Sequence, residues 1–272
     1  KFDLKLKKMN EDIEKAKDFD SSKDGYVEFK NVSFKYPEAE DNVISDINFV
    51  AKPGQTTAFI GSTGSGKSTL INLIPRFFDA TEGQVLVNGI DVKEVSQYKL
   101  RENIGYVPQK GILFSGTVDS NIRYGAQGAS VEEIEKAATI AQAMGFIQDK
   151  PEKFETAISQ GGTNVSGGQK QRLSIARALA KNPKMFIFDD SFSALDLKTD
   201  AKLRKELKLE IKDATVLIVA QRISTIMNAD QIIVLDEGEM VGIGTHDELM
   251  KNCEVYNQIA LSQLSKEELA HE

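Results

Sequence analysis

The sequence predicts an α/β fold built on a parallel sheet whose strands are buried on both faces. Short apolar runs at 55–60, 185–188, 215–220 and 232–235 lack the alternation of half-solvated strands, as sheet strands covered by helices do. The first run leads straight into a glycine-rich turn and a helix-like stretch at 67–78. From about 113 to 180 the chain reads as mostly helical, with an apolar stripe at 131–144 and an Ala-, Arg- and Gln-rich helix at 167–180.

Ahead of the first run the apolar period is two. Val27 and Phe29 alternate, Val32 and Phe34 alternate after a slip in register, and Ile47, Phe49 and Ala51 make another alternating run. Val85 and Val87 lead into Asn88-Gly89, a hairpin signal. The expected architecture is a mixed sheet with flanking helices, an N-terminal antiparallel β layer, a helical subdomain at about 113–182, and short helices to finish the chain. Residues 1–22 stand apart. Phe2, Leu6, Met9, Ile13 and Ala16 form one stripe of an amphipathic helix, followed by the polar linker at 20–25. That stripe reads either as a solvated helix or tail, or as the end of a helix descending from a membrane domain.

Composition narrows the function. The chain has 272 residues, enough for one large domain or a core plus a subdomain. No apolar stretch approaches the roughly 18 residues that span a bilayer, so a membrane part is expected on another chain or on a preceding piece. The first residue, Lys1, is expected of an excised or processed fragment, and no signal peptide is visible. Cys253 is the single cysteine, which suits a reducing compartment. A formal net charge of −7 argues against nonspecific DNA or RNA binding.

Gly61-Ser62-Thr63-Gly64-Ser65-Gly66-Lys67-Ser68 has the full spacing of a phosphate-binding loop and sits between a strand and a helix. Glycines let backbone N–H groups turn inward around phosphate oxygens, and a helix N-terminus adds partial positive charge. Lys67 would bring a full charge to the β- and γ-phosphates, and the Ser68 hydroxyl would ligate Mg²⁺. Asp189 ends the apolar run at 185–188 and is the expected second Mg²⁺ ligand.

Further along, Val165-Ser166-Gly167-Gly168-Gln169, followed by Lys170-Gln171-Arg172, resembles the signature of the ABC ATPases. Ser193-Ala194-Leu195-Asp196 resembles their D-loop, Tyr106-Val107-Pro108-Gln109 their Q-loop, and the 32–37 segment with Tyr36 their A-loop. These motifs come in the family's order over about 25 to 264. The resemblance implies a P-loop NTPase (RecA-like) core that binds ATP and Mg²⁺. Gly61, Ser62, Thr63, Gly64, Ser65, Gly66, Lys67, Ser68 and Thr69 would then hold the phosphates, and Tyr36 would stack on adenine. Ser68, Gln109 and Asp189 would serve the metal. Two domains would pair head to tail, so that Ser166, Gly167, Gly168, Gln169 and Asp196 reach the partner's ATP. Taken alone, Tyr36 could equally be a packed edge aromatic, and Gln109 a surface glutamine.

The segment 113–118, with Asn121-Ile122 after it, resembles exporter domains more than importer ones. Two positions depart from hydrolytically competent relatives. Asp190 stands where the family has a Glu that activates the attacking water, and Gln221 stands where it has a switch His. The histidines, His246 and His271, lie elsewhere. The segment Gln160-Gly161-Gly162 also departs from a Glu-containing stretch that contacts transmembrane helices. With a nearly consensus signature, these departures resemble the degenerate half of a heterodimeric exporter. The implied assignment is a tail or linker at 1–22 and an ATPase domain at 23–272, with Asp190, Gln221 and Gln109 at its catalytic edge. Its expected partners are a transmembrane domain at the cytoplasmic face of the membrane and a second, non-identical ATPase domain, with no nucleic acid. Two other readings are a soluble ABC ATPase of DNA repair or translation, and a regulatory ATP-binding module that does not hydrolyse.

Overall fold

Alternating side chains build the first layer of the computed structural model, which describes residues 25–269. The stripe expected at 1–22 lies outside the described residues. β1 (Val27–Phe34) pairs antiparallel with β2 (Ile44–Ala51), and the register slips between Phe29 and Val32. Asn31, with φ of 49°, sits in that slip, where the sequence alternation breaks. β3 (Thr56–Gly61) leaves this layer for the central sheet and runs into α1 (Lys67–Asn72). β4 (Glu82–Val87) returns to pair with β1, and β5 (Ile90–Asp91) folds back on it. The turn between them, Asn88-Gly89, has positive φ at both residues (53° and 79°), as a tight hairpin of this type requires.

α2 (Gln97–Glu102) and β6 (Ile104–Val107) lead into the helical part. There β7 (Gly116–Thr117), α3 (Val118–Arg123), α4 (Val131–Ile140), α5 (Met144–Gln148) and β8 (Ala157–Ile158) precede α6 (Gly167–Ala180). β9 (Met185–Asp189), α7 (Leu197–Glu210), β10 (Thr215–Val219) and α8 (Ile223–Ile226) bring the chain back to the sheet. β11 (Gln231–Asp236), β12 (Glu239–Gly244), α9 (His246–Asn252) and α10 (Glu254–Leu269) follow.

The central sheet has the order β12-β11-β3-β10-β9-β6. Its pairings are parallel except β11 with β12. Successive side chains of one strand enter different cores, which is why these strands read as unbroken apolar runs. Phe186, Phe188, Val216 and Ile218 pack with α6 and α7 residues such as Leu173 and Leu203. Met185, Ile187, Leu217 and Val219 pack with Phe29, Phe49 and Ile47 of the antiparallel layer.

Three expectations change. The helix expected over 67–78 ends at Asn72, because Pro75 has no N–H to continue it and Arg76 turns left-handed (φ 55°). The helix expected over 131–144 splits at Gln142 (φ 56°) into α4 and α5. The chain does not finish on short helices alone, since α10 has 16 residues. α7 and the hairpin of β11 with β12 were not anticipated. That hairpin turns at Glu237-Gly238, again with positive φ at both residues.

Candidate functional site

The glycine-rich loop joins the C-terminal end of β3 to α1 and is wedged between two other elements. At Gly61 (φ 154°) a Cβ would lie 1.9 Å from the Leu235 carbonyl oxygen of β11. At Gly66 (φ 91°) it would lie 2.4 Å from Ile44 Cγ2 of β2. Only glycine fits either place. No side chain caps α1 at Gly66, so the helix's first N–H groups remain available on the loop side. Ser62, Thr63 and Gly64 form the exposed crest of the loop, and Ser65 is buried beneath it. Lys67 Nζ donates to the carbonyls of Gly61 (3.0 Å) and Ser62 (2.6 Å) and to Ser65 Oγ (3.2 Å). Burial pulls its pKa below the usual lysine value, against the opposing pull of the Asp190 and Asp189 carboxylates.

Ser68 and Asp189 meet at the loop's base, where Ser68 Oγ donates to Asp189 Oδ1 at 2.7 Å. The Tyr106 hydroxyl donates to Asn72 Oδ1 at 2.9 Å and lies 3.3 Å from Asp189 Oδ2. Burial raises the Asp189 pKa, offset by the Ser68 and Tyr106 hydroxyls and Lys67 and reinforced by Asp190. A carboxyl whose pKa is raised by folding disfavours the folded state once ionised. The penalty grows as pH climbs from the ordinary carboxylate value through the raised one. Asp189→Asn should therefore raise the melting temperature at pH 7 without nucleotide. The gain should vanish at a pH where Asp189 is protonated. A lower melting temperature at pH 7 would show that the carboxylate stabilises the fold.

Asp190 follows in left-handed backbone (φ 46°), a conformation Asp tolerates, with its N–H on the Val219 carbonyl at 3.0 Å. Its Oδ2 accepts from two amides, Gln109 Nε2 at 2.9 Å and Gln221 Nε2 at 2.6 Å. The three residues assigned to the catalytic edge thus converge on one carboxylate oxygen. Two anchors tie the Gln109 segment to its neighbours. Gln171 of α6 donates to the Pro108 carbonyl at 2.9 Å, and Ser191 Oγ donates to the Val107 carbonyl at 2.8 Å.

Tyr36 is half-exposed, packed edge-on against Phe34 and Phe78, and its hydroxyl shares a 3.1 Å hydrogen bond with the buried Thr69 Oγ1. Ser166 caps α6. Its Oγ accepts from the Gln169 N–H while Gln169 Oε1 accepts from the Ser166 N–H. Gly168 sits against Ala194, whereas a Cβ on Gly167 would meet open space. Asp196 caps α7 by accepting from the Thr199 N–H at 2.9 Å, which holds its carboxyl below the usual range. Among the described residues no hydrogen bond joins 166–169 or Asp196 to the loop at 61–69. The structure therefore assembles one group from Lys67, Ser68, Asp189, Asp190, Gln109 and Gln221, and leaves the signature residues separate from it. Sequence reading missed the Tyr106 hydroxyl and Asn72 beside Asp189, and Thr69 as the anchor of Tyr36.

Hard oxygen donors, one hydroxyl and one carboxylate, suit Mg²⁺ shared with phosphate oxygens. No cluster of three His, Cys, Asp or Glu side chains able to hold a metal unaided occurs among the described residues.

Comparison with known proteins places this geometry. The profile of the ABC transporter family matches residues 44–193. An uncharacterized ABC transporter ATP-binding protein of Mycobacterium tuberculosis is 49% identical over 242 residues, 88% of this chain and 41% of that protein. A Staphylococcus aureus protein whose name describes a multidrug export ATP-binding/permease protein is 45% identical over 237 residues, 87% of this chain and 41% of its own length. The structure of a bacterial Atm1-family ABC exporter with ATP bound superposes with a TM-score of 0.88 at 36% identity, covering 92% of this chain and 44% of that one. The chain spans about two fifths of the curated relatives it matches. It belongs to the ABC transporter family, as an ATPase domain resembling those of exporters.

Proposed function

We propose that residues 23–272 are the motor domain of an ABC exporter that binds Mg-ATP firmly and hydrolyses it slowly at its own site. Lys67 and the loop amides hold the phosphates, Tyr36 stands under the adenine, and Ser68 and Asp189 hold Mg²⁺, with Gln109 beside it. The metal would neutralise charge on the β- and γ-phosphates. A transmembrane domain, carried upstream or on a separate chain, would place this domain at the cytoplasmic face of the membrane. Among the described residues no helix is long and apolar enough to cross one. The exposed aromatics Phe114 and Tyr124, with ring centroids 4.6 Å apart and planes tilted by 34° on the helical part, offer a surface for such a partner. Ser166, Gly167, Gly168, Gln169 and Asp196 serve the ATP of a second, non-identical domain in a head-to-tail pair. Residues 1–22 are a tail or linker ahead of the motor domain.

The observation that carries the slow-site reading is the environment of Asp190. A general base must offer a lone pair to water within hydrogen-bond reach. Here the side chain is one methylene shorter than Glu, so its carboxylate, fixed in place by the Gln109 and Gln221 amides, stops short of where an attacking water would stand. Sedimentation and phosphate release test the reading together. With Mg-ATP the chain should dimerise and stay dimeric, with turnover on the order of a hundredfold below the ~10 per second of a median enzyme. Rapid turnover would overturn it.

A further inference from the structure

Between the end of β10 at Val219 and the start of α8 at Ile223, the segment carrying Gln221 has no regular structure of its own. A side chain from the last helix holds it. Gln263 Nε2 donates to the Gln221 carbonyl at 2.7 Å, and Gln263 Oε1 accepts from the Ile223 N–H at 2.8 Å. One amide thus pairs with a C=O and an N–H two residues apart, the pattern by which a residue of a parallel strand pairs with its neighbour. The helix presenting it is anchored. Tyr256 and Ala260 are fully buried on the same face, four and three residues apart along α10. The Tyr256 hydroxyl also meets His246 Nδ1 at 2.8 Å.

The segment pinned in this way delivers the Gln221 amide to Asp190 Oδ2 at 2.6 Å. We infer that Gln263 is a positioning residue of the nucleotide site, fixing through the Gln221 backbone where the Gln221 side chain stands, so that α10 forms part of the hydrolytic edge. The inference rests on Gln221 acting as the switch residue of the proposed site. Any displacement of α10 is transmitted to Asp190 through two hydrogen-bonded residues.

Steady-state phosphate release by this chain, wild type against Gln263→Ala, Gln263→Glu and Gln221→Ala, tests it. Losing two hydrogen bonds that hold the segment should lower kcat of Gln263→Ala by about 3- to 10-fold. KM for Mg-ATP should stay within about twofold, because the loop at 61–69 is untouched. Gln263→Glu adds a readout that a merely structural role would not move. Ionised, Glu keeps an acceptor for the Ile223 N–H but sets a carboxylate against the Gln221 carbonyl. Protonated, it regains an O–H donor. Its kcat relative to wild type at each pH should therefore rise as pH falls from 8 toward 5, while the ratio for Gln263→Ala stays flat. Hydrogen exchange at the Ile223 amide should quicken in Gln263→Ala. If Gln221→Ala is slowed and neither Gln263 variant is, the positioning role is wrong and the switch reading stands. If Gln221→Ala equals wild type, the switch reading itself fails. Loss of kcat in Gln263→Ala with a parallel rise in KM and no pH-dependent recovery in Gln263→Glu would also overturn the inference.

Discussion

Lys67→Ala should abolish tight Mg-ATP binding, weakening it by about a hundredfold or more in a calorimetric or fluorescence titration. The estimate follows from the bonds lost. A hydrogen bond to a charged group contributes about 1.5–3 kcal/mol, and Lys67 is placed to serve two phosphates. About 3 kcal/mol corresponds to roughly a hundredfold in affinity. The fold should survive. Lys67 is partly buried and its ammonium is disfavoured there, since burial lowers its pKa. Folding lowers this pKa, so the penalty is present at neutral pH and disappears only as pH rises through the unfolded lysine value. Alanine removes that penalty along with three hydrogen bonds to the loop. Lys67→Gln separates the two contributions, because its amide can still donate to the Gly61 and Ser62 carbonyls but carries no charge. It should bind ATP about as poorly as the alanine variant. Wild-type affinity in both variants, with normal melting curves, would remove Lys67 from the site.

What the sequence made legible was local. The phosphate loop is one continuous octapeptide between a strand and a helix, while the contacts with Leu235 and Ile44 that require its glycines come from the three-dimensional packing. The central strands were readable because both faces of the sheet are covered, which removes polar residues from the whole run. Two helix limits went unread for different reasons. Pro75 is a visible stop signal inside the stretch 67–78, where the surrounding apolar pattern continues past it. Gln142 adopts φ of 56° without being Gly, Asn or Asp, so nothing in its identity announces the break. The edge at Asp190 was flagged only as two substitutions relative to a family pattern. That Gln109 and Gln221 would both reach Asp190, across 81 and 31 residues, needs the parallel order of β6, β9 and β10. Gln263, 42 residues beyond Gln221, belongs to the same class of contact, since a side-chain amide pairing with distant backbone leaves no periodicity.

Asp190→Glu combined with Gln221→His should raise turnover at saturating Mg-ATP by at least an order of magnitude. Charge does not explain the gain, because Asp and Glu carry the same carboxyl group. Reach does. A Glu carboxylate extends roughly 1.5 Å further from the same backbone, about one C–C bond. A misplacement of about 1 Å can change a rate by on the order of a hundredfold. Position 190 is held in left-handed backbone with its N–H on the Val219 carbonyl, so the longer side chain starts from a fixed origin. Glu is less at home there than Asp, at a stability cost on the order of 1 kcal/mol, visible as a slightly lower melting temperature and not as a lower rate. The second change puts in place of the Gln221 amide an imidazole able to bond a phosphate oxygen and to carry a proton near neutral pH. Each single variant separates the contributions. Asp190→Glu alone should recover part of the rate, while Gln221→His alone should recover little, because a switch residue cannot replace a base that does not reach the water. The measurement is phosphate release at protein concentrations that populate the dimer, since each copy's signature is expected to complete the other's site. A double variant no faster than the parent would place the bottleneck in dimer formation, and a parent already turning over at ~10 per second would remove the case for a degenerate site.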